Sequence, residues 1–316
     1  MITRRALLGG SLSVAGTALS GCAWRSEDSA AGLLVFAAGE SGGLYVEFAN
    51  LFARELHRDL ARARVDVVTT QGSRDNLDRL VRRQADLGLV LADTADAAHR
   101  AGRIGQVRAI AKVYENYLQV VVLDSSPVTD VGGLRGRRVA LGAVGSGAAL
   151  TGDLVLRCAG LDPERDVTVT HPALVESIRA LEAGEVDALV WSGGVPTPAL
   201  AQLHLRRPIR LLPLGQLVDA MRSRGGPFYH AAAVPPGSYG LPRGASTVGV
   251  PNLLLCRVDL PAAIVRRCVL LLVGRAASLV PDQARGAQYL EKPDMIHTGA
   301  IPLHPGASAA YREVHG

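Results

Sequence analysis

Three turns carry the residues whose types could hold a small anion: Gly39-Glu40-Ser41-Gly42-Gly43-Leu44-Tyr45, Gln71-Gly72-Ser73-Arg74-Asp75-Asn76 and Gly142-Ala143-Val144-Gly145-Ser146-Gly147. Each follows a short apolar run and precedes a stretch of helical character, so each reads as strand, turn, helix. Glycine lets the backbone approach a ligand closely. The first turn of a helix adds N–H groups that have no intrahelical partner and carry partial positive charge. The hydroxyls of Ser41, Ser73 and Ser146 and the amide of Asn76 supply further donors. This is chemistry for holding a carboxylate rather than for breaking a bond. The chain has no G-x-S-x-G elbow and no dinucleotide fingerprint, and its eight histidines are dispersed without paired ligand spacing, which argues against a metal site.

The elements that must position these turns follow from the apolar runs. Leu33 to Ala38 reads as a buried strand and Val46 to Leu56 as a helix. Val65 to Thr70 is a second strand, Ser73 an N-cap and Leu77 to Arg83 the helix behind it, with a buried strand returning at Ala85 to Val90. A second lobe repeats the scheme. Arg138 to Leu141 is a strand, Ala148 to Ala159 has helical character, Val175 to Ala183 is a helix, and Gly184 to Val190 echoes Gln84 to Val90. Asp86 and Asp187 open the two echoing strands, where a structural role at a strand edge is expected. Trp191 ends the second of them beside a Gly-Gly turn, so it serves as core or as ligand contact. Leu118 to Leu123 and Thr247 to Leu255 are strands that could cross between lobes, giving an α/β fold with lobe 1 at 32–119 plus 251–316 and lobe 2 at 120–250. Two crossing strands make a hinge, and helix N-termini on both walls suit a small carboxylate.

The ends and the composition set the compartment. Residues 1–21 form an export signal: Arg4-Arg5 precede an apolar stretch too short to span a bilayer. Thr3 to Leu8 resembles a twin-arginine signal, but Ala6 follows the second arginine and the export route stays open. Leu19-Ser20-Gly21-Cys22 matches a bacterial lipobox, so Cys22 is expected to carry lipid and to anchor the protein on the outer face of the cytoplasmic membrane, with residues 22–31 as tether. The formal net charge is +5, but the only lysines are Lys112 and Lys292 and the arginines are scattered. With 4% aromatic residues there is no basic, stacking face for nucleic acid. Cys158, Cys256 and Cys268 read as small buried hydrophobes, with a Cys256–Cys268 bridge as the alternative. Ala262 to Val280 is a surface-packed helix whose arginines leave one charged face.

In order and spacing, the segments Gly42-Gly43-Leu44-Tyr45, Thr70 to Leu77, Val113 to Val122, Leu134 to Gly142 with Gly145-Ser146-Gly147, and Gly193 to Ala199 resemble the solute-binding subunits of TAXI-type TRAP transporters. The resemblance implies a two-lobed periplasmic-binding-protein fold of type II character. It also implies a role without catalysis or cofactor: delivery of an organic acid or amino acid, glutamate-like or 2-oxoglutarate-like, to an integral-membrane TRAP permease. By motif position the ligand-binding residues would be Ser41, Gly42, Gly43, Tyr45, Gly72, Ser73, Asn76, Tyr114, Ser146, Gly147 and Trp191. Two departures reshape the pocket: Val46 follows Tyr45 where the family often has a second aromatic, and Ala148 replaces a common threonine. Arg74 and Lys112 are the candidates for balancing the ligand's charge. A ligand sensor for a membrane histidine kinase, and an enzyme on the same scaffold, are the competing readings.

Overall fold

The computed structural model describes residues 32–59, 64–281, 290 and 292–315. The export signal, Cys22 and the tether lie outside these residues. The strands are β1 (Leu33–Ala37), β2 (Arg64–Val68), β3 (Leu87–Leu91), β4 (Val107–Leu123), β5 (Arg138–Ala140), β6 (Thr168–Thr170), β7 (Ala188–Gly193), β8 (Ile209–Leu211), β9 (His230–Val234) and β10 (Ala245–Arg257). The helices are α1 (Leu44–Asp59), α2 (Ser73–Val81), α3 (Ala92–Arg100), α4 (Gly147–Cys158), α5 (Leu174–Ala183), α6 (Pro198–Arg206), α7 (Val218–Gly225), α8 (Ala262–Gly274) and α9 (Pro305–His315).

Local chemistry explains the boundaries. Helix α1 buries Leu44, Phe48, Phe52 and Leu56 along one face at helical spacing. It begins two residues before the expected Val46, so Leu44 and Tyr45 belong to its first turn. Helix α5 ends at Gly184, whose φ of 72° stops it in the left-handed conformation that glycine adopts freely. Helix α6 starts on Pro198, where a missing N–H costs nothing.

The sheet runs β2-β1-β3-β10-β4-β7-β5-β6, with β8 added beside β4 and β9 beside β10. Two long strands cross its middle. Strand β4 pairs with β10 from Val107 to Tyr117 and with β7 from Tyr117 to Val121. Strand β10 pairs with β9 from Ala245 to Gly249 and with β3 from Asn252 to Cys256, with an irregularity between Pro251 and Leu253. Both strands therefore change partners at the same level, and the parallel sets β2-β1-β3 and β7-β5-β6 are joined only through them within the sheet. Apolar clusters fill both faces on each side. One flank is packed by Phe48, Phe52, Leu254 and Leu272 and by Leu80, Val90 and Leu253; the other by Leu134, Val155 and Met221 and by Ile178, Leu200 and Trp191.

The two aspartates hold matching positions. Asp86 accepts the Val35 N–H at 2.7 Å and pairs with Arg257, and Asp187 accepts the Arg138 N–H at 2.9 Å and pairs with the Arg138 side chain. Each ties the start of a central strand to its neighbour. Helix α8 buries Val265, Cys268, Val269 and Leu272, and Arg275 beyond its end pairs with Glu55 and Asp59. All three described cysteines are free, so no Cys256–Cys268 bridge forms, and burial raises the pKa of both thiols. Leu254 is fully buried in β10 between the helices and the sheet. Leu254→Ala is expected to destabilise the fold by about 2–5 kcal/mol, measured by chemical denaturation.

Candidate ligand-binding cleft

The N-termini of α1, α2 and α4 meet at one cavity between the two halves. Its walls include Gly43 with Leu44 and Tyr45 of α1, Gly72 with Ser73 of α2, and Ser146 with Gly147 and Ala148 of α4, and it leaves about 40 Å³ for the centres of water-sized groups. That is room for a few water-sized groups. Each helix follows a parallel strand, so the carboxyl ends of β1, β2 and β5 point their helix N-termini at the gap between the halves, where the Arg74 and Asp75 N–H groups of α2 are already taken by the Gly145 carbonyl. Ser146 caps α4 by accepting the Ala149 N–H at 3.1 Å.

Ser73 is not a cap. Gly72 holds that position with φ 109°, and Ser73 opens the helix, its Oγ accepting the Leu91 N–H at 3.0 Å. A side chain on Gly72 would meet the Ser146 Cα at 3.3 Å, so glycine allows the halves to approach backbone to backbone. Trp191 belongs to the buried core of the second half and also lines the cavity. Its Nε1 donates to Thr197 Oγ1 at 3.1 Å inside the second half, while its ring faces Gly43 across the cleft.

A hydrogen-bonded chain runs beneath the cavity through the crossing strands. Tyr45 donates to Asn252 Oδ1 and lies 3.3 Å from Ser73 Oγ; Asn252 Nδ2 donates to Asn116 Oδ1 at 2.8 Å, and Asn116 Nδ2 donates to the Ser192 carbonyl at 3.0 Å. The chain links both walls to the level at which β4 and β10 change partners. Burial and the neighbouring Asp93 raise the Tyr45 pKa.

Of the eleven residues expected here, Gly43, Tyr45, Gly72, Ser73, Ser146, Gly147 and Trp191 line the cavity. Four others do not. Asn76 is wholly buried, and its amide is taken up by the carbonyls of Ala38 and Leu89 and by the Thr70 hydroxyl. Tyr114 packs against Phe48 and Tyr45 below the cavity floor. Ser41 and Gly42 are exposed, Ser41 facing a separate outer groove, while Gly42 turns the chain at φ 81°. Neither charge candidate reaches the cavity: Arg74 Nη1 contacts the Val144 carbonyl at 3.4 Å, and Lys112 pairs with Glu115 and Asp294. Among the described residues, no lysine, arginine or histidine lines it.

Residues without a strong sequence signal complete the walls: Glu40, Gln71, Leu91, Asn116, Ser192 and Gly193. Glu40 Oε2 accepts the Leu174 N–H at 2.6 Å, bridging the first half to the start of α5, and its pKa is pushed up to about 7, mainly by burial and also by the nearby Glu176. Other bonds cross the cleft. Gly145 accepts the N–H groups of Arg74 and Asp75 and donates its own N–H to Gln71 Oε1; Asp93 Oδ2 accepts from Thr151 and Tyr229 at 2.8 and 2.9 Å. The halves are closed on each other.

Two α/β halves on one mixed sheet, joined by two crossing strands with helix N-termini on both sides of the gap, define the periplasmic-binding-protein fold. The chain belongs to the NMT1-like family, whose pattern it matches over residues 36–314. Among solved structures it is similar to PhnD1 from Prochlorococcus marinus (MIT 9301) in complex with methylphosphonate, with 13% identity over 89% of this chain and 98% of that one and a TM-score of 0.54. It is also similar to a putative L-cystine ABC transporter protein from Listeria monocytogenes, with 12% identity over 82% of this chain and 98% of that one and a TM-score of 0.54.

Proposed function

We propose that this chain is an extracytoplasmic solute-binding protein that closes its two halves over a small carboxylate-bearing ligand and performs no chemistry on it. The observation that carries the reading is the convergence of three helix N-termini from both halves on one enclosed cavity above a two-strand hinge. Helix N-termini offer a carboxylate several N–H donors without placing a cation in the site. The lipobox at Cys22 and the TAXI-like segments support a lipid-anchored protein that hands its ligand to a TRAP-type membrane permease, with the closed surface as the signal to the partner. The lobes are then residues 32–119 with 251–316, and 120–250. Titration calorimetry of the purified protein against L-glutamate, 2-oxoglutarate, succinate and small amino acids is expected to give one saturable, 1:1 heat with a raised melting temperature, by about 2.7 kcal/mol of stabilisation at a hundredfold excess over Kd. X-ray scattering should show compaction on binding. No heat and no thermal shift with any member of the panel would remove this reading.

A further inference from the structure

Two polar atoms at the cavity wall lack a partner. Among the described residues, Glu40 Oε1 and Ser192 Oγ are buried side-chain oxygens without a hydrogen bond, and both residues line the cavity. Buried oxygens of this kind are rare in folded proteins and call for a partner that the protein does not supply; Glu47 Oε2 and Tyr114 Oη share the condition away from the cavity wall, whereas these two face a site open to a ligand. The two differ in what they ask for. A carboxylate oxygen only accepts when ionised, whereas a serine hydroxyl both donates and accepts. The same cavity offers the first turns of α1 and α4, which favour an anion, while the Arg74 and Asp75 N–H groups of α2 are spent on the Gly145 carbonyl. The site thus has a pole for negative charge and, at Glu40, a pole for positive charge, with no basic side chain between them among the described residues.

A dicarboxylate meets half of this arrangement: one end would be received by N–H groups, while the other charge would face Glu40 with no cation to balance it. Like charges brought together in a water-excluded site repel strongly, so a second carboxylate would require Glu40 to keep its proton, whereas an ammonium pairs with the ionised group. We infer that the cleft takes a small zwitterionic amino acid, its carboxylate received by the helix N-termini and its ammonium by Oε1 of Glu40, with the Ser192 hydroxyl as a further partner. The inference rests on the solute-binding reading above and narrows its ligand class. The direct bonds between the two walls, Gly145 with Arg74 and Asp75 and Glu40 with Leu174, favour a small side chain. Glu40 also bonds the α5 backbone across the cleft through its other oxygen. An ammonium on Oε1 therefore ties ligand capture to the residue that bridges the halves, and binding favours closure through one side chain.

The test is titration calorimetry of the full chain with glycine, L-alanine and L-serine, with propanoate and ethylamine as the analogues of alanine lacking one charge, and with succinate and 2-oxoglutarate. At least one of the three amino acids should bind, with propanoate and ethylamine each weaker by about 10- to 100-fold or more, the worth of a hydrogen bond to a charged group. Glu40→Gln should weaken the amino acid by a similar factor. Its amide oxygen still accepts the Leu174 N–H, and its ligand-free melting curve should match or exceed that of the natural chain, which separates lost recognition from lost folding. Binding of succinate or 2-oxoglutarate with the amino acids silent would keep the solute-binding reading and overturn this inference. Propanoate as tight as alanine, or Glu40→Gln at unchanged affinity, would overturn the role of Glu40. Silence from every compound would overturn both.

Discussion

Gly147→Ala is expected to cut ligand affinity by about 10- to 100-fold while leaving the melting temperature of the ligand-free protein unchanged or slightly raised. A Cβ at Gly147 would lie 2.4 Å from Leu91 Cδ1 and 3.0 Å from Ser73 Oγ, both on the opposite side of the cleft. Leu91 is 1% exposed, so its methyl group has little room to retreat. Forcing one methyl group into such a contact costs roughly 1–3 kcal/mol, and it does so only when the halves are closed. In the open form the same methyl group sits in the first turn of α4, where alanine is a better helix former than glycine by up to about 1 kcal/mol. The two effects have opposite signs in the two states, so affinity and stability should part company. Leu91→Ala in the same chain removes the obstructing methyl groups and should restore part of the affinity, although it lowers stability. Unchanged affinity in Gly147→Ala would mean that the ligand is held without the close approach of α4 to Leu91 and Ser73.

How far the cleft was legible depends on whether a residue's role is set locally. The two crossing strands could be read in part: Leu118 to Leu123 and Thr247 to Leu255 are apolar runs, and they fall in β4 and β10 at the centre of the sheet, although β4 already begins at Val107. Asp86 and Asp187 could be read because both stand at the start of a buried strand, where a carboxylate caps a neighbour's N–H. Gly43, Gly72 and Gly147 were visible as strand-to-helix turns, and backbone donors need no particular side chain. Side-chain direction was not visible. Asn76 sits on the first turn of α2, yet helical periodicity alone does not say whether an amide points to the cleft or back onto the carbonyls of Ala38 and Leu89. On β4 the cavity residue is Asn116, with Tyr114 packed below it. Ser192 reaches the cleft through the register that sets Leu118 opposite it, a long-range pairing that leaves no mark on neighbouring residues. Glu40 stood inside a glycine turn that was read, but whether its carboxylate faces solvent or the cleft is set by packing against α5, far away in sequence.

Asp93→Ala is expected to destabilise the folded protein by about 3 kcal/mol, which in a chain of this size lowers the melting temperature by roughly 5 °C. Asp93 is 3% exposed in the first turn of α3 and gathers hydrogen bonds from Thr94, Thr151 and Tyr229. Thr151 can turn to the Gly147 carbonyl at 2.9 Å once the carboxylate is gone, whereas Tyr229 is left with a buried hydroxyl and no acceptor. A cycle with Tyr229→Phe should therefore show coupling of about 1–3 kcal/mol. The pH dependence has a definite sign. Burial raises the Asp93 pKa, and although its hydrogen bonds pull it back, the net direction is upward. The closed form thus holds the proton more tightly than the unfolded chain, so stability is full below the ordinary carboxylate pKa and falls as pH rises through the raised one. Glu40 acts in the same direction between its ordinary value near 4.5 and about 7. Both carboxylates bond across the cleft, so opening the halves relieves the cost of their ionisation. The radius of gyration of the ligand-free protein should then rise between pH 5 and pH 8, and it should rise less in the Glu40→Gln, Asp93→Asn double variant. A pH-independent radius in the natural chain would show that neither carboxylate governs closure.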